Sequence, residues 1–437
     1  MFSKHHSNNE VTNITISANG LLPALDIKSC MPPRPTAPHL TAAPCDPSPP
    51  LPIHGTGTLK LITDLAAVLG RGQFSTVYRG MLLQTDGPAR ECAVKVPHTN
   101  SLDARELVLV EAAGLALLGL QAPGIVQCFG MVDLGAATDT GCTVVGWADA
   151  GRAAVSGSGH WAEVLELCEN GNCWEWMQAN RAAMDAERFF VWARQLAVAL
   201  GVLADAGMAH KDIKPHNLLI DRSGNVRLAD FTATEFSPEA IAQMQRVCPE
   251  FCPEELPAYT DFSGTIPYSA PEALQFTPGA RSDAGALHKM DIFSAGVTLY
   301  TLFVSGLEPY AAVKSSVEQM HLAARGAFWE WEDRQYLAGL PNRAAETAPP
   351  SPIDAVPPVL DDGALGRSLS LGRRRTLRRR KAQPREFKRF LSGDLLPENV
   401  EALLRDMLCP DPALRPGARE VLRRLNAMEP DIFEPAD

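Results

Sequence analysis

The strongest constraint on this chain is a short polar string at residues 210–217, which reads HKDIKPHN. Asp212, a lysine two residues later and an asparagine five residues later place a carboxylate, an ammonium group and an amide on one short loop. A second acid, Asp230, follows the asparagine by thirteen positions, the distance that a β-hairpin spans, and is itself followed by Phe231. This spacing predicts a loop and an adjoining hairpin that together present a base, a phosphate-binding cation and two oxygen ligands for a hard metal ion.

A glycine-rich segment with the sequence LGRGQFSTVY occupies residues 69–78. Glycines at positions 70 and 72 let the backbone approach phosphate oxygens where side chains would collide. Lys95 follows in the segment CAVK, on the next-but-one predicted strand. Sixteen positions later Glu111 lies in a stretch, Leu107–Leu120, whose apolar spacing is helical, which makes it the expected partner of Lys95. Glu106 is the rival for that role.

Three further motifs follow in order. They read GTIPYSAPE at 264–272, DIFSAG at 291–296 and LCPDPALRP at 408–416. Together with the preceding segments they resemble the motif set of eukaryotic protein kinases of the serine/threonine class, over about residues 59–428. The resemblance implies an α+β, bilobal protein-kinase fold, with a small β-rich N-lobe over a larger, mainly helical C-lobe. It also implies transfer of the γ-phosphoryl group of ATP, bound with Mg²⁺ in the cleft, to Ser or Thr hydroxyls of protein substrates.

The same resemblance assigns chemical roles to single residues. Asp212 would accept the proton of the attacking hydroxyl, and Lys214 would stabilise charge on the transferring phosphoryl group. Lys95 would reach the α- and β-phosphates while Glu111 holds it in place. The two expected Mg²⁺ ligands are Asn217 and Asp230.

An apolar adenine pocket is expected beside the glycine-rich segment. Val77 and Ala93 would lie above the base and Leu219 below it. Leu165 would be the gatekeeper, followed by a hinge at residues 166–168 whose backbone bonds the adenine edge. The positions expected to bind the nucleotide are Leu69, Gly70, Gly72, Val77, Ala93, Lys95, Glu166, Cys168 and Leu219.

Other residues of the motifs are expected to support the site without touching the nucleotide. Thr265 would bond both charged residues of the 210–217 loop. Glu272 would form a buried ion pair with Arg415. Asp291 would bond the backbone of the loop and keep it rigid.

The sequence departs from the family pattern at three positions. Ser75 replaces the usual third glycine, Lys211 replaces the arginine that normally pairs with a phosphorylated activation-segment residue, and Thr232 replaces the glycine after Asp230-Phe231. Lysine lacks the bidentate fork of arginine, so activation-segment phosphorylation is expected to be weakly coupled to activity or unnecessary. The departures also support an alternative function, a pseudokinase that serves as an ATP-binding scaffold or regulatory module.

Composition excludes several other classes of protein. The chain has 437 residues, 46% of them hydrophobic, and a formal net charge of -11, whereas a dedicated nucleic-acid binder is usually basic. No apolar run long enough for a membrane span and no secretory signal are expected. Ten scattered cysteines indicate reduced thiols and a cytoplasmic location. No feature of the sequence specifies an oligomeric state.

The sequence divides into an expected core and irregular segments. Residues 1–57 form a proline-rich leader, expected to be disordered. The N-lobe and hinge are expected at 58–168, the C-lobe at 169–428, and a tail at 429–437. A second irregular stretch, at about 340–384, is expected to be a disordered basic insertion in the C-lobe.

Two minor features have competing explanations. The basic run Arg373–Lys381 is by default a solvated charge run. Alternatively, the run serves nuclear import or binds an anionic partner. It could also dock on the acidic activation segment between Asp230 and Glu272, and phosphorylation would weaken that contact. Cys248 and Cys252 have metal-like spacing, but no second Cys/His pair lies near them, so a zinc site there is the weaker alternative.

Overall fold

The computed structural model describes most of the predicted core. The described residues are 58–61, 67–83, 88–98, 102–119, 122–136, 141–146, 149–150, 153, 160–248, 264–274, 284–339 and 388–428. The predicted leader at 1–57, the insertion at 340–384 with its basic run, Cys252 and the tail at 429–437 lie outside the described residues.

The N-terminal part is a seven-stranded antiparallel sheet with the order β1-β6-β5-β7-β4-β3-β2. Strand β1 pairs with both β6 and β3, so the sheet closes on itself between β1 and β3. The strands are β1 (Thr58–Leu61), β2 (Val68–Arg71), β3 (Ser75–Leu83), β4 (Arg90–Pro97), β5 (Cys128–Asp133), β6 (Cys142–Val145) and β7 (Trp161–Glu166).

Strand β4 packs against apolar residues on both of its faces. Successive side chains of a strand point to opposite faces, so neighbouring residues of β4 enter different clusters. Cys92 and Val94 point into a small cluster within the sheet, which includes Val164 of β7. Ala93 instead belongs to the main hydrophobic core, together with Leu165 of the neighbouring strand. The alternation therefore directs Lys95, two residues after Ala93, to the side on which the helix after β4 lies.

That helix, α1, spans Leu102–Leu118 and begins five residues before the predicted apolar stretch. Val108, Ala112 and Leu115 are buried along it at the spacing of one helix face. The helix contacts strands β4, β5 and β7 and also the turn after Asp230. A helix buried on several sides carries Glu111 into the interior, where its side chain is fully buried.

The remainder of the protein is mainly helical. The helices are α2 (Cys173–Ala179), α3 (Ala186–Asp205), α4 (Pro238–Val247), α5 (Pro271–Leu274), α6 (Ala284–Tyr300), α7 (Ser316–Ala324), α8 (Phe328–Gly339), α9 (Glu398–Met407) and α10 (Ala418–Met428). A five-residue π-helix, Thr301–Ser305, continues α6. None of the helices in the described ranges is long and apolar enough to cross a membrane.

Helix α3 shows how local chemistry sets the limits of an element. It begins at Ala186, three residues before the predicted Phe189, because the Asp185 side chain accepts a hydrogen bond from the Arg188 amide at 2.9 Å. Two residues after the helix ends at Asp205, Gly207 adopts a φ of +68°. A Cβ added to Gly207 would clash with Ser237 Oγ at 2.4 Å. The apolar face of α3 carries Phe189 and Trp192 into the core.

Two short antiparallel hairpins lie where the sheet meets the helical part. Strands β9 (Leu218–Ile220) and β10 (Val226–Leu228) pair directly after the 210–217 loop. Strand β8 (Met208–Ala209), before the loop, pairs with β11 (Glu235–Phe236). The hairpin predicted between Asn217 and Asp230 is therefore present, and the α+β division into a small β-rich part and a larger helical part is confirmed.

Candidate active site

The glycine-rich segment forms the β2–β3 hairpin. Its turn is closed by a hydrogen bond of 2.8 Å from the Gly72 amide to Ser75 O. A Cβ added at Gly70 would meet no atom within 4 Å, so this glycine borders open space. Leu69 lies at a register shift between Val68 and Gly70 and is 41% exposed at the rim of the hairpin. The segment thus presents backbone rather than side chains to the space beside it.

Lys95 links three elements through its side chain. Its Nζ pairs with Glu111 Oε2 of α1 and, at 2.8 Å, with Asp230 Oδ1 after β10. Glu111 Oε1 also accepts the Phe231 amide at 3.1 Å, so one carboxylate ties the helix to both the sheet and the Asp230 turn. Glu111, and not the rival Glu106, is the helix residue that pairs with Lys95.

The charges in this cluster shift one another's pKa values. Burial would lower the pKa of Lys95, but Asp230 and Glu111 outweigh it and raise the pKa above its ordinary value. Burial would raise the pKa of Asp230, but the charge of Lys95 and the hydrogen bonds from Lys95 and Thr232 bring it down to about 2. Lys95 is therefore a cation and Asp230 an anion at neutral pH.

A third acid, Glu163, lies beside this cluster. It is opposite Lys95 in the β4–β7 register and is fully buried. Both of its carboxylate oxygens lack a hydrogen-bond partner among the residues that the structure describes. Burial, followed by the charge of Glu111, raises the pKa of Glu163 well above its ordinary value, although Lys95 opposes the shift. Its surroundings therefore disfavour the charged form of this carboxyl group.

The 210–217 loop brings its charged groups into one network with Thr265. Lys214 Nζ donates to Asp212 Oδ2 at 2.8 Å and to Thr265 Oγ1 at 2.7 Å. Thr265 Oγ1 in turn donates to Asp212 Oδ1 at 2.7 Å. Asn217 Nδ2 donates to both Asp212 O and Asp212 Oδ2, at 2.8 and 2.9 Å. Four donated bonds thus fix the orientation of the Asp212 side chain and its backbone.

Asp291 anchors the start of the same loop. Its carboxylate accepts the amides of His210 at 2.7 Å and Lys211 at 2.9 Å. Lys211 has a φ of +66°, a conformation that is unfavourable for a residue with a side chain, and the bond from its amide helps to hold it there. Burial raises the pKa of Asp291 to about 6, against the two amide hydrogen bonds.

The side chain of Lys211 has an internal acidic partner. Its Nζ lies 2.9 Å from Glu235 Oε2 on strand β11. Where the family resemblance places an arginine that pairs with a phosphorylated residue, this chain pairs a lysine with a carboxylate of its own.

Asp230 and the residues after it form a tight turn. Asp230 takes the left-handed conformation with a φ of +66°, and Phe231–Ala233 form a 3-10 turn after it. The positive φ therefore falls on Asp230 and not on the β-branched Thr232. Phe231 is buried and packs edge-on against His210, with ring centroids 4.7 Å apart. The Thr232 hydroxyl donates to Asp230 Oδ1 at 3.0 Å.

The predicted adenine-pocket residues converge on the main core. Ala93 and Leu165 are buried in it, and Val77 and Leu219 pack against it while half-buried. At the predicted hinge the Glu166 amide already donates to Gln127 O at 2.8 Å. The Glu166 amide is therefore already occupied, and the backbone group of Glu166 that remains to bond an adenine edge is its carbonyl oxygen. Cys168 is partly exposed, and burial raises the pKa of its thiol, so it is a poor nucleophile.

Glu272 and Arg415 form the ion pair that the sequence predicts. The pair is bidentate, with Arg415 Nη2 lying 2.7 Å from Glu272 Oε2 and Nη1 contacting Oε1. The guanidinium also donates to three backbone carbonyls and is fully buried. All three nitrogen atoms of the guanidinium group thus donate hydrogen bonds to neighbouring residues.

Sequence reasoning missed three participants, namely Glu163, Glu235 and the hydroxyl group of Thr232. A glutamate among the apolar residues of the 161–166 strand was the available signal for the first. The partner of Glu235 depends on folding, since it lies on another element, whereas Thr232 bonds a residue only two positions before it in its own motif. Cys248, considered for zinc, is buried.

Comparison with known proteins agrees with this architecture. A protein kinase domain family model matches residues 64–425. Since the match covers most of the chain, the protein belongs to the protein kinase domain family.

Curated proteins with similar sequences are kinases. Serine/threonine-protein kinase CHK1 of Saccharomyces cerevisiae is 30% identical over 149 residues, which are 34% of this chain and 24% of the relative. CBL-interacting protein kinase 19 of Oryza sativa subsp. japonica is 28% identical over 309 residues, 68% of this chain and 50% of the relative. Tyrosine-protein kinase sid-3 of Caenorhabditis elegans is 24% identical over 258 residues, which are 57% of this chain and 17% of the relative. The chain thus spans half or less of the length of these relatives.

Proposed function

We propose that this chain is an active serine/threonine protein kinase, which transfers the γ-phosphoryl group of ATP to Ser or Thr hydroxyls of protein substrates. The observation that carries the proposal is the closed network of Asp212, Lys214, Thr265 and Asn217. A carboxylate held by several donors is already oriented before a substrate arrives, so its reorganisation does not add to the barrier.

The chain's own residues can perform the steps of such a transfer. Asp212 is the base or orienting acceptor for the substrate hydroxyl, a contribution of roughly 10²–10⁴ in rate for general-base help. Lys214, bound to Asp212, can move its ammonium group toward charge that develops on the phosphoryl oxygens. Lys95 is held as a cation by Glu111 and is the candidate for the α- and β-phosphates.

The site also fits a magnesium ion. Both hydrogen bonds donated by the Asn217 amide nitrogen go to Asp212, and among the described residues no donor occupies its side-chain oxygen, which can act as a ligand. The Asp230 carboxylate is an anion, and hard oxygen donors of this kind suit Mg²⁺. When bound, Mg²⁺ would supply positive charge that bridges the phosphates.

The choice of Ser or Thr over Tyr as acceptor rests on Lys214 and Thr265. By family resemblance, tyrosine kinases lack a lysine at the first of these positions. Here the lysine bonds both Asp212 and Thr265, so it is part of the network and not a surface charge. The curated relatives include both acceptor classes, and the network supports the serine/threonine class.

The rival function is a pseudokinase that binds ATP as a scaffold or regulatory module. Its support is Ser75, Lys211 and Thr232, the three departures from the family pattern. None of the three removes a group assigned to phosphate or metal. Lys211 has gained an acidic partner and Thr232 bonds Asp230, so both departures are accommodated in the observed site.

The test is incubation of the purified full chain with labelled ATP, Mg²⁺ and a generic basic protein substrate. We expect label on Ser or Thr, lost in Asp212→Asn and Lys95→Met. The matched controls are Asp205→Asn and Lys314→Met, which make the same changes at exposed residues outside the motifs. Nucleotide binding without transfer by the wild type would favour the pseudokinase, and label on tyrosine would contradict the acceptor class.

A further inference from the structure

The turn after β10 contains a hydrogen bond for which the family resemblance provides no role. Thr232 Oγ1 donates to Asp230 Oδ1 at 3.0 Å, within a 3-10 turn that begins immediately after Asp230. Glycine, the residue that the family usually has at position 232, possesses no side chain that could make this bond.

Two donors converge on the same carboxylate oxygen. Lys95 Nζ lies 2.8 Å from Asp230 Oδ1, the oxygen that Thr232 also bonds. Within the described ranges, no hydrogen bond reaches the other oxygen, Oδ2. The carboxylate thus has one oxygen bound by the protein and one oxygen available to a further ligand.

The two donors differ in what else they must do. Lys95 also pairs with Glu111 and, under the proposed function, would turn toward phosphate oxygens when the nucleotide binds. Thr232 is tied to Asp230 by its own short turn and can keep its bond when Lys95 moves. It also bonds a residue in the left-handed conformation, with a φ of +66°, so the bond helps to hold this backbone state.

We propose that Thr232 is a positioning residue whose hydroxyl holds the Asp230 carboxylate in one orientation, with Oδ1 bound by the protein and Oδ2 left for a divalent cation. The inference rests on the proposed function, because it assigns Asp230 as a metal ligand. It predicts that removal of the hydroxyl weakens the cation's contribution to nucleotide binding and leaves cation-independent binding intact.

The experiment measures binding and not turnover. A fluorescent, non-hydrolysable ATP analogue is titrated onto the full chain over a range of Mg²⁺ concentrations, for the wild type, Thr232→Val and Thr232→Ser. Valine keeps the shape and removes the hydroxyl, whereas serine keeps the hydroxyl. Thr232→Ala removes the hydroxyl without added bulk, and it carries the test if the valine variant does not fold.

The matched control is Thr234→Val, two residues along the same segment. Thr234 is buried, and its hydroxyl has no hydrogen-bond partner among the described residues. The same chemical change there removes no bond to Asp230. A general effect of the substitution on this turn would therefore appear in both valine variants, while an effect through Asp230 would appear in Thr232→Val alone.

We expect Thr232→Val to need about tenfold more Mg²⁺ for half-maximal effect, since hydrogen bonds to charged groups are worth more than neutral ones. Thr232→Ser and Thr234→Val should stay within about twofold of the wild type, as should binding of the analogue without Mg²⁺ by every variant. An unchanged Mg²⁺ requirement in Thr232→Val, or a serine variant that behaves like it, overturns the inference.

Failure of the proposed function gives a different result. A wild type that binds the analogue with Mg²⁺ but transfers no phosphate from labelled ATP contradicts the kinase activity. The comparison of the Thr232 variants still decides the positioning role. A wild type that binds no nucleotide with Mg²⁺ overturns both.

Discussion

The ammonium group of Lys211 lies 2.9 Å from the carboxylate of Glu235, and this ion pair joins the 210–217 loop to strand β11. Both side chains are mostly withdrawn from solvent, with exposed fractions of 20% and 26%. Lys211 also has the left-handed backbone that Asp291 stabilises. The loop therefore has an internal anion at the position where the family resemblance expects a phosphate group.

We expect phosphatase-treated protein to keep its activity, because Glu235 supplies the negative charge that orients Lys211. Glu235→Gln should lower kcat/KM by about fivefold to tenfold, a value suited to a partly buried ion pair. Glu169→Gln is the control, since Glu169 pairs at 3.0 Å with Arg222, whose side chain is 80% exposed. Loss of activity on phosphatase treatment would show that a phosphate group on the chain is needed after all.

The Glu272–Arg415 pair predicts a large stability effect. Arg415→Lys keeps the charge but cannot reproduce the bidentate pair or the three bonds to carbonyls, so a partly buried carboxylate and several acceptors lose partners. We expect a loss of about 3–5 kcal/mol in the free energy of unfolding, measured by urea denaturation. Arg419→Lys, at an exposed pair with Asp205, should change it by less than about 1 kcal/mol. Equal effects of the two substitutions would contradict the structural role of Arg415.

Glu163 predicts a gain in stability. Its buried carboxyl group lacks hydrogen-bond partners in the described part of the chain, so an apolar side chain of similar volume avoids the cost of burying it. We expect Glu163→Met to raise the free energy of unfolding by about 1–3 kcal/mol. Glu91→Met is the control, because Glu91 is partly exposed and pairs with Arg79. A destabilised Glu163→Met variant would mean that the carboxyl group supports Lys95 or Glu111 directly.

Glu332 predicts a pH dependence of stability. Burial raises its pKa from 4.5 to about 7, against the charge of Lys388. The folded chain then binds more protons than the unfolded chain between these two values, so the free energy of unfolding falls as pH rises from about 4.5 to about 7. Glu332→Gln should remove this fall, by about 1.4 kcal/mol for each unit of pKa difference.

The measurement for Glu332 is urea denaturation of the wild type and the Glu332→Gln variant from about pH 5 to about pH 8. The control is Glu330→Gln, since Glu330 is 74% exposed and lies on the same helix. That variant should follow the wild type. A wild-type curve parallel to that of Glu332→Gln would contradict the raised pKa.

Much of the fold and of the site was predictable, because the chemistry is specified by short stretches of sequence. The 210–217 loop contains its own base, cation and amide, and a hairpin of fixed length brings Asp230 beside it. Gly70 and Lys95 lie on strands β2 and β4, which pair with the two edges of β3, so consecutive strands with local pairing bring them together. Helix limits were less accurate, since α1 and α3 begin before the apolar pattern does, and for α3 the cap at Asp185 sets the start.

The sequence by itself determined the family, the order of the motifs and the residue types at the site. Only the tertiary structure decided which acids share the interior with Lys95, and that Lys211 pairs with Glu235. Helix α1 delivers Glu111 and strand β7 delivers Glu163 to one buried place, although the two are distant in sequence. Hydrophobic packing fixes that meeting, and burial together with the charges of the neighbouring groups then shifts each pKa.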